Sequence, residues 1–197
     1  MTDHACPSNA TNAMPRGEDG ASAVPESGLP GPEPLGPIIE RQLSACRRNG
    51  TMLAVLSISL HGLDAVRHCH GAVIEAQVRQ AAWARLRSRL RGSDLAVHIG
   101  GDAYGAVLLN AGRLAAGLVD SRVAGALCEP YGIDTLEIVI SVRSGVAVFP
   151  QAGSNGAALA AAAAQARVIA GATPPHAPSA CCGVPDVTRA AIACTTP

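Results

Sequence analysis

The chain has no lysine: all 15 of its basic residues are arginine, so any mechanism built on a lysine ammonium is excluded. Aromatic side chains are nearly absent as well, being Trp83, Tyr104, Tyr131 and Phe149 alone. That argues against a platform for stacking nucleic-acid bases. Charge of either sign is not in excess, and the formal net charge is zero, so bulk electrostatics supplies no attraction to nucleic acid or to an acidic membrane. No Cys-x-x-Cys pair occurs among the seven cysteines, and seven is odd, so neither a zinc ribbon nor a disulfide framework is suggested. Thiols in a reducing cytoplasm are the simplest reading. No basic-then-apolar signal segment opens the chain, and the longest apolar stretch, Ala157 to Ala164, is too short to span a bilayer.

What is present is enough for one domain with a core of Ala, Val, Leu and Ile, since the chain has 197 residues. Residues 1–36 are rich in Pro, Gly, Ser, Ala and Glu without hydrophobic period, and read as a disordered leader. Residues 37–171 form the domain, and 172–197 a flexible tail. Within the domain a helix begins with Pro37 as its first residue and ends at Asn49-Gly50. Met52 to Leu60 reads as a buried strand, Leu63 to Cys69 as a short helix, and Ala72 to Leu90 as a long amphipathic helix. On that helix Val73, Ala76, Ala82, Trp83, Leu86 and Leu90 mark the apolar side, while Arg79, Arg85, Arg87, Arg89 and Arg91 mostly face water.

Leu95 to Ile99 and Tyr104 to Leu109 read as two strands of a hairpin about Gly100-Gly101-Asp102. Residues 111–128 are a further helix with Leu114, Leu118, Val119, Val123, Ala126 and Leu127 inward, stopped by Pro130. Two β-rich runs, Leu136 to Val142 and Gly145 to Phe149, precede an alanine helix over 157–170 opened by Ser154-Asn155. This order gives an α+β or α/β sandwich with one central sheet.

Three motifs then line up. Gly100-Gly101-Asp102-Ala103-Tyr104 resembles the signature turn of the GGDEF (diguanylate cyclase) family. Arg91 to Asp94, five residues earlier, is similar to that family's Arg-x-x-Asp inhibitory product-binding motif, and the segment Arg143 to Pro150 resembles its Ser-x-Gly-x-Ala-x-x-Pro strand. The resemblance covers roughly Ile38 to Gly171 and implies a nucleotidyl-cyclase-like, mostly antiparallel sheet flanked by helices. It also implies a place in cyclic di-GMP signalling.

The family condenses two GTP molecules into cyclic di-GMP with carboxylate-held metal ions. Carried over residue by residue, its first metal-binding Asp falls on Ser59, the next Asp on His61, and the Phe-Lys after it on Leu63-Asp64. Its guanine-reading Asn and Asp fall on Arg67 and His68, and a guanidinium has no acceptor to offer guanine. The Glu of the signature turn is Ala103, and a triphosphate-binding Lys falls on Gly171. The family's Asp-x-Leu-Thr-Gly-Leu-x-Asn-Arg motif is absent, with Leu35-Gly36-Pro37 a faint echo. Asp102 alone remains. Each such loss costs about 3 kcal/mol or more of transition-state stabilisation, so a catalytically inactive domain is expected, with Mg²⁺ needed only if activity persists.

The product-binding residues fare differently. Arg91 and Asp94 are present, and the family's secondary arginine falls on Arg122. Arginine forks onto phosphate or the guanine Hoogsteen edge, and aspartate accepts from guanine N1–H and N2–H. Cyclic di-GMP is therefore the expected ligand, at Arg91, Asp94 and Arg122. The alternatives are a pseudo-cyclase that serves only as a protein-interaction or dimerisation module, and an active cyclase. Local chemistry also offers plainer roles. Arg91-Gly-Ser-Asp94 suits a helix end, and Asp102 suits its own hairpin turn. His68-Cys69-His70 near His61 lacks zinc spacing, so no metal site is expected. Partners expected are an unidentified protein, with a homodimer one form of it, and neither nucleic acid nor membrane.

Overall fold

The computed structural model describes residues 29–172. Residues 1–28 and 173–197, which hold most of the expected leader and tail and Cys6, Cys181, Cys182 and Cys194, lie outside the described residues. The elements are α1 (Leu35–Asn49), β1 (Leu53–His61), α2 (Leu63–Ser88), β2 (Leu95–Gly100), β3 (Ala103–Leu109), α3 (Arg113–Cys128), β4 (Tyr131–Ile133), β5 (Leu136–Ile138), β6 (Ser141–Phe149) and α4 (Gly156–Ala172). Four strands form one sheet in the order β2-β3-β1-β6, every pair antiparallel, and β4 and β5 make a separate hairpin. The mixed architecture and the antiparallel central sheet are as the sequence implies.

Alternation along β1 builds two cores. Successive side chains of a strand point to opposite faces. Leu56, Ile58 and Leu60 join Trp83, Leu86, Val123 and Leu127 on the face covered by α2 and α3. Leu53 and Val55 join Ile39, Leu43, Leu159 and Ala163 on the face covered by α1 and α4. Both faces are thus dry, which is why β1 carries an almost unbroken apolar run.

The alanine helix has a packing reason. A Cβ on Gly145 of β6 would lie 2.1 Å from Arg167 N and 2.5 Å from Ala163 O, so α4 lies directly on β6. Such an approach needs small residues on both elements. Glu40 of α1 closes the same corner. Its Oε2 accepts from Gly156 N–H at 2.6 Å, while Asn155 Oδ1 accepts from Ala158 N–H at 2.8 Å, so two side chains cap the first turn of α4. The bond from Gly156 and the guanidinium of Arg47 hold the Glu40 carboxyl below its ordinary pKa.

Several expectations are corrected. The first helix begins at Leu35, capped by extended Pro34, so Pro37 is its third residue. Leu35 is buried and fills the space beside Gly105, which draws the start of the helix two residues upstream. Residues 29–34, counted in the leader, run along the sheet, with Leu29 packed against the core and Glu33 N–H donating to His98 O at 2.8 Å. The two helices expected over 63–90 are kept, meeting at a kink within α2 where Gly71, with a φ of 87°, leaves the helical conformation. On it Val73 is exposed, while Glu75 is buried.

The two late β-runs are also redrawn. Leu136 to Val142 is not one strand, since β5 turns back on β4 and Ser141 opens a nine-residue strand that runs unbroken through Arg143 and Ser144. Its ladder with β1 carries it through those polar residues. On α3, Leu114 and Leu118 are 87% and 75% exposed rather than inward. The buried face is Ala116, Val123, Ala126 and Leu127, with Asp120 at its edge. Among the described residues no helix is long and apolar enough to cross a membrane.

Candidate functional site

Two clusters of candidate residues lie at separate places on the sheet. The first is at the start of β2. Asp94 N–H donates to Arg91 O at 3.0 Å, and Asp94 Oδ2 accepts from Arg91 N–H at 3.1 Å, closing a tight turn from both sides. Asp94 Oδ1 accepts from Leu109 N–H at 3.3 Å, which ties the start of β2 to the end of β3. Arg122 reaches from α3 and donates from Nη2 to Arg89 O at 2.7 Å, satisfying a carbonyl at the end of α2. Arg91 is exposed, and its guanidinium has no hydrogen-bond or ion-pair partner among the described residues.

These three side chains share one concavity of about 190 Å³, whose wall is completed by Asn110, Leu118 and Val119. The backbone explains the convergence. The Arg91–Asp94 turn and the β3–α3 connection lie at the same end of the β2–β3 hairpin, so the first turns of α3 pass over the turn. A larger concavity of about 760 Å³ opens on the other side of Arg91 and Asp94, between Leu29, Pro30, Trp83, Arg87 and Leu90. Sequence reasoning missed its Leu29–Pro30 wall because the composition of residues 1–36 resembles an unstructured leader.

The second cluster is the signature turn and the end of β1. Gly100 and Gly101 have φ of 136° and 55°, a left-handed pair that lets the chain reverse before Asp102. Ala103 pairs with Ser59, and Tyr104 is buried with its ring 5.9 Å from that of Trp83. His98 of β2 is buried beneath the turn, with Nδ1 2.9 Å from Pro30 O and Nε2 3.3 Å from Gly101 O. The ring therefore links the entering chain to the turn, a contact across 68 residues that local sequence does not signal.

Asp102 is not a free carboxylate. Arg79 donates to its Oδ1 from Nε at 2.9 Å and reaches it from Nη2 at 2.8 Å. The same Nη2 donates to Glu75 Oε1 at 2.7 Å, and Arg67 Nε lies 3.7 Å from Glu75 Oε2. Glu75 is only 3% exposed, so its charge must be compensated. Burial works to lower the Arg79 pKa, but the bond to Asp102 and the charges of Asp102 and Glu75 outweigh it and hold the guanidinium above its ordinary value. Arg79 therefore belongs to an ion-paired triad and not to a water-facing surface. Arg85 also departs from the solvated face expected for it. It donates to the carbonyls of Ala126, Glu129 and Pro130 and stands 3.9 Å from the Tyr131 ring centroid, closing the end of α3. Burial, opposed by Arg85, pushes the Tyr131 hydroxyl up to about 12.

Where the family holds metal, Ser59 Oγ and His61 Nε2 are hydrogen-bonded to each other at 2.9 Å. Burial first, then the charges of Arg143 and Arg167, hold the His61 pKa below its ordinary value, against a smaller opposing effect of Asp102. These residues do not fit a divalent cation. Two positions offer neutral groups, the two acids nearby are ion-paired with Arg79 and Glu75 also with Arg67, and two further arginines bear on His61. Among the described residues no three His, Cys, Asp or Glu side chains are grouped so that they could hold a metal ion.

Comparison with known proteins bears on the family and the fold. The family model for the diguanylate cyclase GGDEF domain matches residues 27–173. A curated relative, the bifunctional diguanylate cyclase/cyclic di-GMP phosphodiesterase MucR of Pseudomonas aeruginosa, is 27% identical over 118 residues. That match takes in 59% of this chain and 17% of the relative, so this chain spans a small part of that protein's length. A sensory box/GGDEF family protein from Caulobacter crescentus superposes with a TM-score of 0.67 at 24% identity, over 71% of this chain and 91% of that one. The GGDEF domain of DgcB from Caulobacter crescentus, solved in complex with c-di-GMP, superposes with a TM-score of 0.64 at 13% identity, over 69% and 81% of the two chains. At those identities the two structures speak to the fold alone. With the family model spanning the whole described domain, the chain belongs to the diguanylate cyclase GGDEF-domain family.

Proposed function

We propose that this domain works in cyclic di-GMP signalling as a binding module without cyclase activity, taking cyclic di-GMP at Arg91, Asp94 and Arg122. The observation that carries the reading is the shared concavity of those three side chains, with the Arg91 guanidinium uncommitted at its rim. A cyclic dinucleotide presents phosphates and guanine edges, and a fork of donors beside a carboxylate acceptor suits both. Asp94 can take this role although it already serves the backbone, because each carboxylate oxygen has a second lone pair. The loss of catalysis is supported by Ser59, His61 and Ala103 in place of acids and by the ion-pairing of Asp102.

One observation favours a second reading, a fold kept for protein interaction alone. Asp94 and Arg122 both have intramolecular bonds that account for their presence without a ligand. Calorimetry separates the two. With cyclic di-GMP titrated into the full chain, the binding reading expects saturable heat, and about tenfold or weaker affinity in Arg91→Ala, the loss of one charge-assisted contact. No heat at tens of micromolar ligand, or unchanged affinity in Arg91→Ala, leaves the interaction module standing.

A further inference from the structure

The outward face of α3 is apolar and bare where a surface helix is ordinarily polar. Leu114 and Leu118 are 87% and 75% exposed, more than any other large apolar side chain among the described residues. A single exposed leucine is ordinary, but these two stand one turn apart and form a continuous ridge. Nothing described covers its flank: a Cβ added at Gly117 or Gly125 would meet no atom within 4 Å. The frame of the ridge is cationic. Arg113 precedes it and Arg122 follows Leu118 by one turn; both are exposed, and neither has an ion-pair partner among the described residues. Arg91 stands across the concavity that Leu118 and Arg122 also line. The one acid of the helix, Asp120, sits on its partly buried edge and is bonded to Ser144.

Covering the two leucines takes an apolar surface, and pairing the guanidinium groups around them takes carboxylates. A second copy of this chain supplies the first and not the second, because it brings the same arginines and no exposed acid on this face. We propose that the outward face of α3 docks an acidic amphipathic helix of a protein partner. Apolar side chains of that helix, one turn apart, cover Leu114 and Leu118, and its carboxylates reach Arg113, Arg122 and Arg91. The concavity beside Leu118 makes this docking exclusive. Cyclic di-GMP at Arg91 and Arg122 puts phosphate on the charges that attract the partner, so ligand and partner displace one another. The exclusion rests on the cyclic di-GMP reading above; the docking itself does not.

The probe is a fluorescein-labelled synthetic helix with leucines along one stripe and glutamates elsewhere, titrated with the full chain and followed by fluorescence anisotropy. Saturable binding is expected without nucleotide, and none of a counterpart with lysine for every glutamate. Leu114→Glu is expected to weaken binding about tenfold or more, since it sets a charge in the apolar contact and repels the carboxylates. Leu114 lies outside the cyclic di-GMP concavity, so calorimetry of that variant with cyclic di-GMP should match the unaltered chain. Its exposure keeps the fold intact, which a thermal melt verifies. Arg113→Ala also weakens the peptide, whereas Arg48→Ala, which removes an exposed cation of α1, leaves it unchanged. Where calorimetry records cyclic di-GMP binding, added cyclic di-GMP releases the peptide, and simultaneous binding overturns the exclusion. Absence of that heat defeats the cyclic di-GMP reading alone, and the docking is still decided by the peptide and Leu114→Glu. The docking is overturned by no peptide binding at tens of micromolar, equal binding of the lysine counterpart, or undiminished binding in Leu114→Glu. A dimer, or attachment to phosphatidylserine vesicles, that Leu114→Glu abolishes in place of peptide binding overturns it as well.

Discussion

Asp120 shows how a single residue can be held at a cost. It sits on the partly buried edge of α3, with Oδ1 buried and unpaired among the described residues. Burial raises its pKa, and a bond from Ser144 of β6 offsets that only in part. Because the folded-state pKa is raised, the folded chain binds the proton more tightly than the unfolded chain does. The stability this contributes is full below the ordinary carboxylate pKa and is lost as pH rises through the raised value. Asp120→Asn should therefore raise the thermal midpoint at pH 7 by a few degrees, and the gain should vanish when melts are repeated below about pH 4. An equal gain at both pH values would mean that ionisation of Asp120 is not the cause. At this scale the sequence was most legible where family spacing applied. Arg91, Asp94 and Arg122 were named from motif positions and do line one concavity. His98 and Arg85 were not, because their partners lie on other elements. Only the assembled fold brings Pro30 to His98, or the end of α3 to Arg85.

Between elements, the contact that fixes the geometry is α4 against β6. Gly145→Ala places a methyl group 2.1 Å from a backbone nitrogen, and no rotamer relieves a clash with backbone. The helix must lift from the sheet, so a loss of about 3 kcal/mol or more, or failure to fold, is expected in urea denaturation. A change under 1 kcal/mol would contradict the close approach. The first three strands of the sheet in chain order were readable from apolar runs, and so was the division of 63–90 into two helices. The facing of α3 was not. Leu114 and Leu118 follow helical period as well as the true inward residues do, and period alone does not choose between two apolar stripes. The stripe of Ala116, Val123, Ala126 and Leu127 faces inward, where α3 packs on β1 and β6.

For the whole molecule, two dry faces of one antiparallel sheet and a short turn at its end give the architecture of the GGDEF family. The fold class was legible because β1 needs an apolar cover on both sides, and the motif order matched one family throughout. The charge around Ser59 and His61 was legible only in part. Ser59, His61 and Ala103 announced the missing acids, but the pairing of Arg79 with Asp102 and Glu75 and the approach of Arg143 and Arg167 emerge only in three dimensions. The account stands or falls on the proposed absence of cyclase activity. Incubating the full chain with GTP and Mg²⁺ or Mn²⁺ and resolving the products by chromatography measures it directly. No cyclic di-GMP above a protein-free control is the result expected, and its steady accumulation in proportion to protein would contradict the account.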